Sequence, residues 1–159
     1  MATADKPGVI APPPLLMLGT LIVALVLDRL MPVDVLPAGW GTTALVIGIS
    51  LMALGIGVAI SGLIAFHRAG TNVEPHKPAL VLVGDGPYRY TRNPMYIGLI
   101  LCLLGVSVIS STDWGLPMAI VLWQILHHGV VLREEAYLTA KFGQAYTDFL
   151  ARTHRWIFF

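Results

Sequence analysis

The sequence predicts an all-α integral membrane protein with about four transmembrane helices, a cytoplasmic loop and a C-terminal amphipathic helix. Three observations carry this expectation. Of 159 residues, 56% are hydrophobic and 12% are charged, against about 25% charged in an ordinary soluble domain. Mean hydropathy is +0.75. Nearly charge-free stretches close to the ~20 residues needed to cross a bilayer recur along the chain, and lysine and arginine, Arg29 apart, are confined to alternate connections. A net charge of +1 argues against a nucleic-acid binder of the usual basic kind. The single cysteine, Cys102, excludes an internal disulfide framework and a cysteine-based zinc cluster. The length suits one unit, residues 1–159, rather than two.

The first span is expected over about residues 14–31. It is free of charge as far as Leu27, with Asp28 and Arg29 near its far end. No Ala-x-Ala site comes after it, so it reads as a span and not as a cleaved leader. The second, about 44–66, carries no charge, and the third, about 95–111, is slightly short. The fourth, about 114–132, contains Gln124, His127 and His128 but no formal charge when both histidines are neutral. Lys6 precedes span one, and Arg68, Lys77, Arg89 and Arg92 separate spans two and three. Arg133, Lys141, Arg152 and Arg155 come after span four, whereas the connections 32–40 and 112–113 hold no lysine or arginine. The positive-inside rule then puts both termini and the central insert in the cytoplasm, with Asp34 and Asp113 opposite.

Gly41, Gly48, Gly55 and Gly62 recur every seven residues, and Gly98 and Gly105 repeat the interval. Seven residues is nearly two helical turns, so each set lines one face. Glycine there lets two backbones approach, which predicts a packing seam within one copy or between copies. The insert, residues 67–93, is broken by Pro75, Pro78, Gly84, Gly86 and Pro87. Such a segment is either a solvated loop or an ordered cap over a site, and its density of Tyr, Arg, Asn and His argues for order. The tail, residues 133–152, reads as one amphipathic helix with a stripe of Leu138, Phe142, Ala145, Tyr146 and Phe149. It is expected to lie on the membrane surface or to fold back over the insert, with Trp156, Ile157, Phe158 and Phe159 as interface anchors.

Four groups of residues bear on chemistry. Leu80-Val81-Leu82-Val83-Gly84-Asp85-Gly86 imitates a strand entering a phosphate-binding turn, but it has no third glycine in place and a span intervenes. His127 and His128 are adjacent, and no H-x-x-x-H spacing exists, so no metal site is expected. Glu134 and Glu135 lie where the last span meets water. They either complement a helix dipole or send one carboxylate into the bundle to pair with a cation. In Gly86–Tyr96, Pro94 suits the first turn of span three and Asn93 suits its N-cap. Arg92 and two of the three tyrosines suit the interface. That many donors at one helix N-terminus would also suit a carboxylate-bearing cofactor.

Gly86-x-Tyr88-x3-Arg92-Asn93-Pro94-x-Tyr96 resembles the G-x-Y-x-x-x-R-[HN]-P-x-Y motif of the isoprenylcysteine carboxyl methyltransferase family. Arg133-Glu134-Glu135, with Leu138, Phe142-Gly143 and Tyr146, is similar to that family's second block. Gly84-x-Gly86 and Glu134-Glu135 also resemble the paired motifs of phosphatidylethanolamine N-methyltransferases. The resemblance spans about residues 71–156. It implies a membrane methyltransferase that uses S-adenosylmethionine (SAM) in a site built from about residues 80–96 and 133–146. The acceptor would be lipophilic or membrane-partitioned, a carboxylate, amine or thiol, and methylated at the cytoplasmic face. The implied cofactor set is Leu80, Val81, Leu82 and Val83, largely through backbone, with Tyr88, Arg92, Asn93, Pro94, Met95 and Tyr96. Glu134 would bind the cofactor's amino group, with Glu135 beside it.

Two departures stand out. Members often carry histidine where this chain has Leu80 and Asn93, and eukaryotic members place a substrate-binding arginine where it has Val130. The second departure counts against a prenylcysteine carboxylate. An amine or thiol acceptor would need a base, and His127, His128, Glu135 and Tyr96 are all candidates. A membrane-bound reductase relative and a non-enzymatic scaffold are the competing readings. The expected partners are the bilayer and a lipophilic small molecule.

Overall fold

A computed structural model describes residues 6–33, 41–74 and 77–157. The connection holding Asp34, the breaker Pro75, His76 and the anchors Phe158 and Phe159 lie outside the described residues. The element order is α1 (Pro13–Leu30), α2 (Gly41–Ala69), a 3₁₀ turn (Gly86–Arg89), α3 (Pro94–Ile109), α4 (Gly115–Leu126), a π-turn (His127–Val131), α5 (Leu132–Phe142) and α6 (Gln144–Arg152). The chain is an all-α integral membrane protein. Helix α1, helix α2 and the continuous rod Gly115–Phe142 are long and apolar enough to cross a bilayer, and α3 is a shorter apolar helix.

Local chemistry sets the helix ends. Proline opens α1 and α3, where its missing N–H costs nothing and its fixed φ is already helical. Gly70, at φ +69°, ends α2 in the left-handed region. At the end of the bundle remote from the insert, the Asp113 N–H donates to Asp28 Oδ1 (3.2 Å). The Trp114 indole donates to the Met31 carbonyl (2.9 Å). Asp28, a charge near a span end in the sequence, therefore ties α1 to the turn before α4.

The tail differs from expectation. It is not one helix over 133–152. Helix α5 continues α4 through the π-turn, and Gly143 (φ 55°, ψ −127°) breaks the chain before α6. A positive φ is inexpensive only for glycine, and the break turns α6 back toward the insert. Leu138, Phe142, Tyr146 and Phe149 pack there with Ala65, Val83 and Tyr88. Ala145 does not join them and is exposed. Trp156 is no interface anchor either. It is buried against Trp123, and its indole donates to His127 Nδ1 (3.3 Å).

The glycine seam closes within one copy, between α2 and α3. A Cβ added to Gly55 would lie 2.7 Å from the Gly98 carbonyl oxygen, and one added to Gly105 would lie 2.7 Å from that of Gly48. The two backbones are therefore in contact, as small residues permit in lipid. Gly41 takes no part, since a Cβ there would meet nothing within 4 Å. Gly62, two turns beyond Gly55, instead leaves room for Met95 and the Tyr88 hydroxyl. The seam thus runs from the membrane interior to the floor of the site. Around it, Leu103, Leu122 and Leu126 are fully buried where α3 meets α4.

Gly105→Ala should cost about 1–3 kcal/mol, because the new methyl meets backbone that cannot give way. Gly57→Ala, with open space around it, should be neutral or stabilising. Thermal unfolding of both variants in detergent measures the contrast, and equal behaviour would refute the seam.

Candidate functional site

The described residues of the insert form a cap held by polar groups of its own and of α5. The Thr71 hydroxyl accepts the N–H groups of Leu80 (2.8 Å) and Val81 (3.4 Å). Asn72 Nδ2 donates to the Pro78 carbonyl (2.9 Å), and the Ala79 N–H donates to the Tyr137 hydroxyl on α5 (3.1 Å). These bonds lay the segment that ends at Val83 against α5. Gly86, at φ +61°, then starts the 3₁₀ turn. The turn drives Tyr88 inward until its ring meets Phe66 of α2 at 5.3 Å between centroids.

The chain next enters α3 at Asn93. Asn93 occupies the N-cap position, but its side chain does not cap. Its Nδ2 donates instead to the Arg155 carbonyl (2.9 Å), which also accepts the Thr91 hydroxyl (3.1 Å). The Arg92 N–H donates to the His154 carbonyl (2.9 Å). Arg92 does not reach out to the interface either, since its side chain is only 11% exposed. Its Nε donates to Glu135 Oε1 (3.2 Å), and its Nη1 donates to the carbonyls of Leu150 and Thr153. Arg155 grips the same carboxylate with Nε to Oε1 (2.9 Å) and Nη2 to Oε2 (2.7 Å). The cation-paired member of the acidic pair is therefore Glu135.

Between cap, bundle and tail lies a cleft of about 860 Å³, including space open to solvent. Val81, Leu82 and Val83 line it from the cap, and Tyr88, Arg92, Asn93, Met95 and Tyr96 from the turn and α3. Glu134 and Glu135 line it from α5. Two members of the predicted set do not. Leu80 is 59% exposed and outside the cleft, and Pro94 is buried beneath it. Val130 is also fully buried, in the core between α3 and α4.

Glu134 accepts the Tyr96 hydroxyl (2.8 Å) and has no salt bridge among the described residues. The Tyr88 hydroxyl is buried in the cleft wall with no hydrogen-bond partner among the described residues. Burial, then the Glu134 charge, holds this phenol above its ordinary range. It stays a neutral O–H donor at any physiological pH. Of the candidate bases, His127 and His128 lie outside the cleft, Glu135 is engaged by two arginines, and Tyr96 faces in.

Several lining residues escape sequence reasoning. Tyr137 sits three residues beyond Glu134, a spacing that puts both on one helix face and could have revealed it. Phe66 and Asn72 lie at the edges of the insert and have no motif. Pro7 reaches the cleft because the Ile10 N–H bonds to the Gly129 carbonyl (3.2 Å) and Arg133 Nη1 bonds to the Gly8 carbonyl (2.9 Å).

A model of the phospholipid methyltransferase family matches residues 43–145, more than half of the chain. A protein-S-isoprenylcysteine O-methyltransferase of Schizosaccharomyces pombe is 34% identical over 70 residues, covering 43% of this chain and 29% of the relative. Protein-S-isoprenylcysteine O-methyltransferase B of Arabidopsis thaliana is 28% identical over 112 residues, covering 66% and 54%. The chain thus spans about half the length of these curated relatives, or less. No solved structure matches it.

Arg92→Ala should loosen the tail from the cap by about 1–3 kcal/mol, since hydrogen bonds from a buried charge to Glu135 and two carbonyls are lost. Faster proteolysis and amide exchange across residues 143–157, with α2 and α3 unchanged, would show it. Uniform protection would refute the clamp.

Proposed function

Since this chain belongs to the phospholipid methyltransferase family, we propose that it transfers a methyl group from SAM to a lipophilic acceptor at the cytoplasmic face of a membrane. The observation that carries this is the state of the acidic pair. Glu135 is neutralised by Arg92 and Arg155, whereas Glu134 meets the cleft beside Tyr96 with no cation. A ligand with an ammonium group supplies the missing charge, and SAM has one on its amino-acid portion.

The cleft residues then divide by chemistry. Glu134 and Tyr96 hold the amino group, and Tyr88 offers its unpartnered O–H. Val81–Val83 present backbone and apolar surface to the rest of the cofactor, and Met95 and Asn93 complete the wall. When bound, SAM would supply an electrophilic sulfonium methyl and leave as the neutral thioether; the acceptor would have to lie in line with the methyl–sulfur bond, and an amine or thiol would also have to give up a proton to a base. Holding donor and acceptor in that line is the main task of the protein. A polar cofactor reaches the cleft from the aqueous side beneath cap and tail, and a lipophilic acceptor arrives from the bilayer.

The charge balance bears on the acceptor. Among the described residues, the two cations that line the cleft, Lys77 and Arg92, are engaged by Glu74 (2.7 Å) and Glu135 (3.1 Å). Val130, at the position where an arginine would meet a substrate carboxylate, is sealed in the core. This favours an amine or thiol acceptor over a carboxylate.

Calorimetry on detergent-solubilised protein tests the reading. Wild type should bind SAM, and Glu134→Ala should weaken binding about tenfold or more, ~1.4 kcal/mol, in a variant that still folds. Leu80→Ala should stay within about twofold, because its side chain is outside the cleft. Well-folded wild type that fails to bind SAM would overturn the proposal, and binding of NADPH in its place would point to a reductase.

A further inference from the structure

Glu134 and Glu135 are sequence neighbours, so on a helix they point about 100° apart. One faces Tyr96 in the cleft and the other faces two arginines. The first cause of this orientation is the π-turn ahead of α5, where the Leu132 N–H bonds back to the His127 carbonyl, five residues earlier. The extra residue in that turn rotates helix α5 by roughly one helical step, ~100°. In an uninterrupted α-helix the direction taken by Glu134 would fall to Arg133. The second cause is Arg155, whose guanidinium bonds both oxygens of Glu135, the two-pronged geometry that fixes a carboxylate most firmly. The Glu135 side chain is 13% exposed, so this grip acts away from bulk water. Arg155 itself does not line the cleft.

We propose that Arg155 is a positioning residue for the methyl donor: by fixing Glu135 against the tail, it sets the rotation of the first turn of α5 and keeps the Glu134 carboxylate uncompensated in the cleft, ready for the donor's ammonium. This rests on the reading of the cleft as a SAM site. Removing the Arg155 side chain leaves Glu135 Oε2 without its partner and the local charge one unit more negative. Glu135, which already lines the cleft and is then held by Arg92 alone, becomes an under-compensated second carboxylate that competes with Glu134 for the ammonium. The tail is also docked by bonds that this side chain does not make. Thr91 and Asn93 bond the Arg155 carbonyl, and the Arg92 N–H bonds the His154 carbonyl. Arg155→Ala is therefore expected to keep its tail docked.

Two ligands separate positioning from general structure. S-adenosylhomocysteine carries the amino-acid portion, and 5′-methylthioadenosine shares its adenosine thioether but lacks both the ammonium and the carboxylate. Calorimetry on the full chain in detergent, by competition where binding is weak, compares them across variants. Glu134→Gln should weaken S-adenosylhomocysteine about tenfold and leave 5′-methylthioadenosine within about twofold. Arg155→Ala should reproduce that split, at about five- to tenfold against about twofold, and Arg155→Lys should recover part of the loss. An Arg155→Ala protein that weakens both ligands alike, or neither, overturns the proposal while Glu134→Gln still splits them. If Glu134→Gln fails to split them, the SAM reading of the cleft falls with it. Should Arg155→Ala not fold, Arg155→Gln and Arg155→Lys carry the same comparison.

Discussion

The Arg92 guanidinium reaches three stretches of chain at once. Two of its nitrogens bond Glu135 on α5, and the third bonds the carbonyls of Leu150 and Thr153 at the end of α6. Its own backbone is bonded to His154. A buried guanidinium is tolerated only when its charge and its fork of donors are both satisfied. Here satisfaction requires the tail to fold back over the cap. The cleft has a far wall because Arg92 needs one. Tyr146 and Phe149 close the apolar side of the same arrangement against Val83 and Tyr88.

The membrane half and the aqueous half of the protein are continuous through α2 and α3. Glycines let these helices touch in the bilayer, and at Gly62 the same face receives Met95 and Tyr88. The cleft therefore sits where apolar helix ends give way to a polar cap. That junction fits the proposed reaction between a water-soluble donor and a membrane-dissolved acceptor.

Much of the fold is legible in the sequence because a bilayer imposes its own length and polarity on a chain. The features that escape depend on contacts distant in sequence. Arg92 reads as an interface anchor because an arginine at a helix end usually reaches for water. Its partner on α5 lies far along the chain, and nothing local announces it. The break at Gly143 is hidden by the stripe itself, since Leu138, Phe142, Tyr146 and Phe149 meet in one cluster on either side of the turn. Ala145 is the residue that separates the two patterns, inward in a single helix and exposed in the pair. The π-turn has no sequence signal, although it bears on which glutamate faces Tyr96. Motif spacing gathers ten of the twelve predicted site residues on the cleft wall, and it misses residues such as Pro7 and Phe66 that come from outside the motifs.

The glycine contacts between α2 and α3 have a consequence for how such a chain can change over generations. A core built from side chains drifts through compensating pairs, one residue enlarging as its neighbour shrinks. At Gly48 and Gly55 the opposing groups include, beside the side chains of Ile109, Leu101 and Cys102, the backbone carbonyls of Gly105 and Gly98. A backbone carbonyl cannot be trimmed by any mutation. An enlargement on this line can be accommodated only by moving one whole helix, and with it the floor on which Tyr88 and Met95 rest. Elsewhere the apolar helix faces can exchange one aliphatic residue for another freely, but along this line the only neutral change is no change.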